Sequence, residues 1–359
     1  MVHDWNASIK RIQSVLSGSK RIDRVPYFGL VLEQMITRIC GISVRNLFSS
    51  PKTYAHSTMM ANEYVNTDII TLPTVYAGPG EAIAFAEAND RTNAIKWFDN
   101  KTVMVEQGVI CKTEEECEKL KIPDHSKVKL WDTTYEAAKI IYQKTNFPQN
   151  VGLGIWSVVQ QLRGIQAYRD MRENPEVLST LCEKIYESQM DSYHNWIKKV
   201  GPSPFVFYTG YAFNRSMMSF EDAMKYEGQF IKRFQKETGV PFILHNCGFA
   251  PYFEEICEKI DFIAVNGSHP LDLNFWKNFK KKFPKVTIIG ATIDVNREIL
   301  TGTPEEVEEK VKENILALAP GGRYCVGPIC ELPGNAPLPN IMAISSAIEK
   351  YGVYPIKEG

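Results

Sequence analysis

Eight short apolar runs recur along the chain, and segments with helical patterns lie between them. The runs cover residues 25–31, 68–75, 150–156, 204–211, 240–247, 262–267, 285–293 and 323–330. Runs that are apolar on both faces are typical of parallel strands buried between helices. Eight such strands, each followed by a helix, predict a (β/α)8 TIM barrel. A doubly wound open sheet is the alternative, but no Gly-x-Gly-x-x-Gly motif follows the first run.

The length suits one barrel domain over residues 1–359. Residues 1–24 precede the first strand, and we expect them to form an N-terminal helical extension. Residues 92–112 do not fit the repeat, because they alternate around an Asp-Asn-Lys turn, which predicts an inserted hairpin. Helical stretches include residues 50–66, 174–201, 219–239 and 303–321, and the last opens with a capping-box spacing of Thr303 and Glu306.

Charge and hydropathy exclude several classes of function. The formal net charge is −1, whereas a general nucleic-acid binder needs an excess of basic residues. No apolar run approaches the roughly 20 residues that span a bilayer, and the first residues lack the apolar segment of a signal peptide. We therefore expect a cytoplasmic protein whose partners are neither nucleic acid nor membrane.

The fifth run ends in an unusual pair, His245 and Cys247. Strand side chains alternate faces, so these two leave the strand on the same side. Cys330 closes the eighth run, and the carboxyl ends of barrel strands meet at one mouth. Imidazole and thiolate are zinc ligands, and a catalytic zinc uses three protein ligands with one open position. The alternative is a core histidine beside a core thiol.

The other cysteines and histidines are expected to be structural. Eight cysteines are too dilute over this length for a disulfide framework. Cys325 lies five residues before Cys330, and an odd offset places the two on opposite faces of a strand, so we expect Cys325 to pack in the core. His269 either reaches the mouth or lies in a loop before Pro270, and the second is preferred. We expect the remaining four to be surface or helix residues, namely His3, His56, His125 and His194.

Four segments resemble one known family. The segment LHNCG at 244–248 resembles the LHxCG segment of the methylcobamide:coenzyme M methyltransferases, which belong to the uroporphyrinogen decarboxylase superfamily. Residues 326–344 are similar to the closing pattern of that family, a Pro-x-Cys followed by Pro-Leu-x-Asn and a helix. Residues 288–315 resemble its Gly-x-x-Asp and TPEEV helix, and residues 21–30 resemble its DRVP segment. The resemblance covers both ends and most of the second half of the chain.

The resemblance implies a barrel of the uroporphyrinogen decarboxylase type with a zinc site at His245, Cys247 and Cys330, where Cys330 occupies the Pro-x-Cys position. It also implies methyl transfer between a corrinoid, carried by a separate corrinoid protein, and a small substrate. A thiol bound to zinc loses its proton and becomes nucleophilic. The decarboxylase itself is a remote alternative, because its Arg-x-x-Gly-Arg-Tyr segment corresponds here to residues 25–35, which contain no arginine.

Two kinds of small molecule are candidates for the methyl partner. The nearest resemblance implies a thiol such as coenzyme M, whose sulfonate would need a cation from Arg163, Arg215 or Arg297. Aromatic residues near strand ends would instead suit a methoxylated aromatic donor, as in O-demethylation; the candidates are Trp156, Tyr208, Tyr211 and Tyr76, and the alternative for each is core packing. A barrel that binds a corrinoid protein or ligand without catalysis is a further alternative.

Two acidic residues are candidates for general acid or hydrogen-bond roles. Glu81 follows the second predicted strand, and Asp294 follows the seventh. Carboxylates at these positions would face the barrel mouth if the preceding strands end there. The alternative for both is that they cap a loop.

Overall fold

A six-stranded parallel sheet occupies the second part of the chain, and its strands follow one another in sequence order. They are β3 (Val151–Leu153), β4 (Val206–Thr209), β5 (Phe242–Phe249), β6 (Ala264–His269), β7 (Thr287–Ile289) and β8 (Tyr324–Cys325). The structure is a computed structural model that describes residues 3–19, 22–73, 78–99, 103–269 and 271–356, without the side chains of 268 and 269. This sequential parallel order confirms the barrel-type α/β fold and differs from the order of a doubly wound sheet.

The first predicted strand lies beside β8 and the second lies beside the first, but neither forms a regular ladder. The backbone N–H of Phe28 donates to the carbonyl of Val326 at 2.7 Å, and that of Asp68 donates to the carbonyl of Tyr27 at 2.8 Å. Pro26 lacks a backbone N–H, and that of Tyr27 donates to the Asp68 carboxylate at 2.8 Å instead of to a neighbouring strand. The two segments therefore continue the sheet past β8 as irregular chain, and residues 74–75 lie outside the described part.

Several strands are shorter than the apolar runs that predict them. After β7, Gly290 and Ala291 have φ angles of 90° and 71°, which end the extended conformation. After β8, a Cβ atom at Gly327 would lie 2.4 Å from the carbonyl oxygen of Phe28, so only glycine allows this approach. The polar residues of the site therefore lie on loops that begin directly at the strand ends.

Helices surround the sheet, and most begin close to the predicted residues. The predicted stretches 50–66, 174–201 and 303–321 correspond to helices Pro51–Val65, Pro175–Lys199 and Pro304–Leu318. The capping box is confirmed, since the Glu306 carboxylate accepts the N–H of Thr303 at 2.8 Å. The stretch 219–239 instead contains a π-helical turn. The α-helices are α1 (Trp5–Ser17), α2 (Glu33–Cys40), α3 (Val44–Leu47), α4 (Pro51–Val65), α5 (Pro79–Ala88), α6 (Glu114–Lys119), α7 (Lys129–Thr145), α8 (Ile155–Arg163), α9 (Gln166–Glu173), α10 (Pro175–Lys199), α11 (Phe220–Ala223), α12 (Gln229–Thr238), α13 (Phe253–Cys257), α14 (Leu273–Lys282), α15 (Pro304–Leu318) and α16 (Leu338–Tyr351), with π-helical turns at Met224–Gly228 and Val295–Thr301.

Two further short strands form a separate antiparallel pair, β1 (Ile95–Lys96) and β2 (Met104–Val105). They lie within residues 92–112, where the sequence predicts a hairpin. The expected turn residues at 100 and 101 are outside the described part of the chain. The pair contacts α5, the helix that carries Glu81.

A buried carboxylate joins the N-terminal helix to the first apolar run. Asp68 is fully buried and accepts hydrogen bonds from Arg24 at 2.7 Å, Arg11 at 2.9 Å and Ser8 at 2.8 Å. Asp23 pairs with Arg11 on the exposed side of the same cluster. The DRVP segment therefore supplies ion pairs that hold α1 and residues 25–31 together.

Within the described residues, no helix combines the length and the apolar character needed to cross a bilayer.

Candidate metal centre

The fifth strand delivers its histidine to the interior of the barrel. His245 pairs with Thr209 in the register of β4 and β5, and its ring stacks on Phe207 with 5.4 Å between the ring centroids. Phe207 in turn stacks on Phe28, which belongs to the first apolar run, residues 25–31. His245 is only 5% exposed. The imidazole is therefore fixed between strands rather than free in solvent.

Three side chains meet at the carboxyl ends of β5 and β8. The Nε2 atom of His245 lies 2.5 Å from the Sγ atom of Cys247, and Cys247 Sγ lies 3.7 Å from Cys330 Sγ. All three potential ligand atoms lie within 4.8 Å of one another. The structure thus brings together the three residues that the strand pattern singles out, whereas Cys325 is fully buried within β8.

The loop that carries Cys330 is held on both sides by backbone hydrogen bonds. The N–H of Ile329 donates to the carbonyl of Ile293 at 3.1 Å, and that of Leu332 donates to the carbonyl of Leu30 at 3.0 Å. Cys330 follows β8 by five residues, so its position depends on these contacts and not on strand geometry. A thiol on a loop anchored this way is positioned before any ligand binds.

Asn266 fixes the orientation of the histidine ring. Its Nδ2 donates to the carbonyls of Ile289 at 3.0 Å and Pro328 at 3.2 Å, so its Oδ1 faces Nδ1 of His245 at 2.6 Å. An amide oxygen only accepts, so Nδ1 carries the proton and Nε2 presents its lone pair to the thiols. Metal-binding histidines are commonly oriented by such a second hydrogen bond.

Asn246, which lies between His245 and Cys247, and two glycines determine the local geometry of β5 and β6. The Asn246 side chain donates to the carbonyls of Gly210 at 2.8 Å and Phe213 at 2.9 Å, which ties β5 to the loop after β4. A Cβ at Gly248 would lie 2.3 Å from the Asn214 amide, and one at Gly267 would lie 2.1 Å from the Asn246 carbonyl. The irregular pairing of β5 with β6 at this point therefore requires both glycines.

The two thiols differ in pKa. The hydrogen bond from Cys247, together with His245, holds the pKa of Cys330 well below the usual value of a thiol. The same interaction with Cys330, together with burial, raises the pKa of Cys247. Cys330 is thus the member of the pair that loses its proton more readily, and the thiolate is the form that binds metals.

The surroundings of the thiols are acidic. Burial raises the pKa of Glu331 to about 8, and the charges of Glu33 and Cys330 raise it further in the same direction. Burial also raises the pKa of the half-buried Tyr211, to which the charges of Cys247 and Cys330 contribute. Tyr211 therefore lies near the thiols, and the site favours a bound cation.

The three predicted pocket residues separate in the structure. Tyr211 faces the thiol pair, whereas Tyr208 is fully buried on the opposite face of β4 and stacks on Phe242 with 5.8 Å between the ring centroids. Trp156 is also fully buried, at the start of α8, and its Nε1 donates to the Tyr168 hydroxyl at 3.3 Å. The structure thus places Tyr208 between the sheet and the helices, and Trp156 behind Tyr168. Tyr76 lies outside the described residues.

Glu81 belongs to a buried network away from β5. The Oε2 atom of Glu81 lies 3.0 Å from Nε2 of His125, and Ser188 donates to its other oxygen. The opposite nitrogen of His125 lies 3.0 Å from the Asp191 carboxylate. The expectation that His125 lies at the surface or in a helix is wrong, because it is fully buried in the loop before α7. Burial lowers the pKa of His125, but the charge of Glu81 and the hydrogen bonds that the ring donates to both carboxylates outweigh it and raise the pKa to about 9.

Asp294 caps a helical turn at the carboxyl end of β7. Its carboxylate accepts the N–H groups of Asn296 at 2.7 Å and Arg297 at 3.2 Å. It also lines a cavity of about 760 Å³ that includes Ile329, the neighbour of Cys330. Asp294 is therefore a cap, the alternative role considered for it, and is also open to a ligand. The side chain of His269 lies outside the described part.

Two residues near the site carry no sequence signal. Tyr168, on α9, contacts Trp156 and Gln160 and contributes to the raised pKa of Tyr211. Glu227 is fully buried and accepts hydrogen bonds from the chain after β3 and after β4. Both lie in helical segments of mixed polarity, where periodicity does not separate a buried polar residue from an exposed one.

Comparison with known families identifies the fold family. Residues 7–351 match the family described as uroporphyrinogen decarboxylase (URO-D). The chain belongs to this family. The predicted relationship to the uroporphyrinogen decarboxylase superfamily is thereby confirmed. A search of curated proteins finds no match.

Comparison with solved structures gives two alignments. A methyltransferase from Methanosarcina mazei aligns with 16% sequence identity and a TM-score of 0.74, over 96% of this chain and 98% of that protein. A B12-independent methionine synthase from Shewanella sp. W3-18-1, in complex with selenomethionine, aligns with 16% identity and a TM-score of 0.41, over 60% of this chain and 65% of that protein. The first of these two alignments shows that the URO-D family member shares its whole-chain fold with a methyltransferase.

Proposed function

We propose that this URO-D family member is a zinc-dependent methyltransferase that moves a methyl group between a corrinoid and a small substrate. The observation that carries the proposal is the His245, Cys247 and Cys330 cluster at the carboxyl ends of the strands. A TIM-type barrel holds its chemistry at this end. The corrinoid is expected on a separate protein that docks over the mouth.

The donor set fits zinc. One imidazole and two thiols are borderline-soft ligands, and three protein ligands leave a position for substrate. His245 is already in the tautomer that presents Nε2, and contacts with Cys247 and His245 lower the pKa of Cys330. When bound, zinc would supply a Lewis acid that activates a coordinated oxygen or sulfur atom of the substrate. Asn266 and the acidic surroundings orient the ligands and offset the positive charge.

The charges of the site bear on the methyl partner. Coenzyme M carries a sulfonate, and each of the three candidate arginines has another partner. Arg163 is buried and pairs with Asp170 at 2.7 Å, and Arg215 pairs with Glu255 and lies over the ring of Tyr252. Arg297 is 81% exposed and faces Glu298. Glu331, beside the thiols, supplies no positive charge for a sulfonate, and burial raises its pKa to about 8.

An uncharged aromatic methyl ether suits the same surroundings better. Tyr211 lies near the thiols, and Phe207 stacks on the histidine ligand, so aromatic surface is present on the β4 side of the cluster. We therefore place a methoxylated aromatic donor ahead of a sulfonated thiol, although the resemblance of the LHNCG segment favours the thiol. The direction of transfer would then run from the ether to the corrinoid.

The decarboxylase activity of the family name is not proposed. A substrate with eight carboxylates needs cationic partners, and residues 25–35 offer Glu33 but no arginine. A non-catalytic role is disfavoured by the intact ligand cluster. We expect no decarboxylation when the purified protein is incubated with uroporphyrinogen, and detection of coproporphyrinogen would contradict the proposed function.

Glu81 and Asp294 remain proposed acid–base residues. The hydrogen bonds of Glu81 go to His125 and Ser188, so a catalytic role would require that its network extend to the mouth. Asp294 lies at a cavity beside the Cys330 loop. Glu81→Gln and Asp294→Asn test the two residues one at a time. Loss of methyl transfer in either variant, with zinc content and stability retained, would support a role of that residue in proton transfer.

The test of the function is a pair of spectroscopic assays on the zinc-loaded protein. One contains cob(I)alamin with methoxylated aromatic compounds, and the other contains methylcob(III)alamin with coenzyme M. We expect cobalt methylation in the first assay, and its loss in Cys247→Ala but not in Cys325→Ala. Thiol methylation alone would overturn the aromatic assignment while keeping the methyltransferase. Absence of zinc from the wild-type protein would overturn the proposed function.

A further inference from the structure

Glu227 joins two loops at the mouth of the barrel. Its Oε1 accepts the N–H of Trp156 at 3.1 Å and the hydroxyl of Tyr208 at 3.3 Å, and its Oε2 accepts the N–H of Ala212 at 2.9 Å. Trp156 follows β3, and Ala212 follows β4. One fully buried carboxylate therefore connects the segments that follow two neighbouring strands, β3 and β4.

The start of α8 depends on this carboxylate. Its N-cap residue is Gly154, which has no side chain to accept the first helical N–H groups. Glu227 accepts the N–H of Trp156, and the Tyr208 hydroxyl accepts that of Ile155 at 3.2 Å. An acceptor from another helix thus replaces the usual cap, and its negative charge is favourable at a helix N-terminus.

The loop after β4 connects Glu227 to the metal ligands. Its residue Gly210 donates to the His245 carbonyl at 2.9 Å and accepts from the Asn246 side chain at 2.8 Å. Two residues further along, Ala212 donates to Glu227, and Tyr211 lies between these two attachments. The loop that presents Tyr211 to the thiols is therefore fixed by the ligand strand at one end and by Glu227 at the other.

A π-helical turn places the carboxylate there. Glu227 lies in Met224–Gly228, between α11 and α12. Such turns insert one residue into a helix and are frequent at functional sites. In the part of the chain that the structure describes, no lysine or arginine donates to Glu227. Its carboxylate oxygens accept from two backbone N–H groups and one hydroxyl.

From this geometry we infer that Glu227 is a positioning residue, which fixes the start of α8 at Trp156 and the loop that carries Tyr211 beside the metal centre, and makes their placement pH-dependent. The inference rests on the proposed function, since the methyl-transfer assay is one of its readouts. An ionised carboxylate accepts both N–H groups strongly, and protonation weakens one of these bonds. Methyl transfer should therefore rise with pH as Glu227 ionises.

The neighbours of Glu227 do not ionise in the same range. The titratable groups that face it are Tyr208 on β4, Cys182 on α10 and Tyr168 on α9, and burial raises the pKa of each. Burial raises the pKa of Glu227 to about 7, although hydrogen bonds from Ala212, Trp156 and Tyr208 oppose this shift. Among these described groups, an ionisation near neutral pH belongs to Glu227.

Glu227→Gln tests the inference, because the amide keeps the volume but accepts at only one of its two atoms. We expect unchanged zinc content and a fall in kcat of about tenfold or more, as misplaced substrate contacts commonly cause. The rise of activity with pH near 7 should disappear. The matched control is Glu221→Gln on α11, which is exposed and should behave as wild type. A Glu227→Gln protein with wild-type kcat and pH profile would overturn the inference, and so would a loss proportional to lost zinc or folded protein.

A second measurement does not depend on methyl transfer. The pH titration of intrinsic fluorescence is compared between the wild type and Trp156→Phe, and the difference reports on Trp156. We expect this difference to change with a midpoint near 7 and the change to be absent in Glu227→Gln. A difference that is flat with pH in the wild type would overturn the inference, even where Glu227→Gln does not fold. If no methyl transfer occurs in any variant but the fluorescence change is present, the proposed function fails and the positioning role stands.

Discussion

The Nδ1 atom of His245 lies 2.6 Å from Oδ1 of Asn266, and this contact determines which nitrogen faces the two thiols. Asn266 is itself fixed by hydrogen bonds that it donates to the carbonyls of Ile289 and Pro328. Ile289 ends β7, and Pro328 lies in the loop after β8. The orientation of the imidazole is therefore set by the sheet and does not require a bound ion. A site prepared in this way gives high metal affinity, because little order is lost on binding.

Substitution of Asn266 tests this arrangement. We expect Asn266→Ala to weaken zinc binding by about 10–100-fold, as removal of outer-shell partners commonly does. The measurement is competition with a chromophoric chelator at fixed pH. Asn246→Ala is the control, because its hydrogen bonds go to Gly210 and Phe213 and not to the histidine ring. Equal loss of affinity in both variants would show that general loosening of β5, not the ring contact, is responsible.

The ligand assignment predicts which cysteines are needed. Cys247→Ala and Cys330→Ala should lose zinc, whereas Cys325→Ala, whose thiol is buried in β8, should retain about one zinc per chain. The measurement is elemental analysis of the purified proteins, with circular dichroism to confirm folding. Retention of zinc in Cys330→Ala together with its loss in Cys325→Ala would show that the site is built on the strand and not on the loop.

The sequence was sufficient to single out the three clustered residues because two simple rules apply to them. Alternation along a strand places His245 and Cys247 on one side, and the barrel places the end of β8 at the same mouth. The same rules overestimated the first two strands, where Pro26 and the carboxylate of Asp68 replace a regular ladder. Side-chain hydrogen bonds to the backbone are not visible in an apolar run.

Buried polar residues far from the strands were not predictable from periodicity. His125 lies in a polar segment that resembles a surface loop, yet Glu81 and Asp191 contact it from different helices. Glu227 lies in a π-helical turn, which shifts the helical register and brings the carboxylate inward. Tyr208 lies in β4, within the predicted strand, but on the outer face of the sheet. In each case the contact depends on the tertiary arrangement of segments distant in sequence.

The Asp68 cluster should dominate the stability of the N-terminal region. Asp68→Asn leaves the guanidinium groups of Arg11 and Arg24 beside a neutral amide, and breaking a buried pair in this way costs about 3–5 kcal/mol. The measurement is the free energy of unfolding in urea. The matched control is Asp23→Asn, whose side chain is 62% exposed and whose loss should cost less than about 1 kcal/mol. Similar losses in the two variants would show that the buried pair has no special weight.

The buried His125 predicts a specific dependence of stability on pH. Its pKa is about 9 in the folded protein, above the ordinary value of 6.5, because the attraction of Glu81 and Asp191 outweighs burial. A raised histidine pKa stabilises the fold fully below pH 6.5, and this contribution is lost as the pH rises through 9. The rise of the pKa from 6.5 to about 9 corresponds to about 3 kcal/mol. The difference in unfolding free energy between wild type and His125→Gln should therefore decrease from pH 6.5 to 9.

His194→Gln, on the exposed side of α10, is the control and should follow the wild type throughout. A difference that is constant or grows over this range would mean that His125 is neutral in the folded protein, and that Glu81 is held by a neutral imidazole rather than by an ion pair.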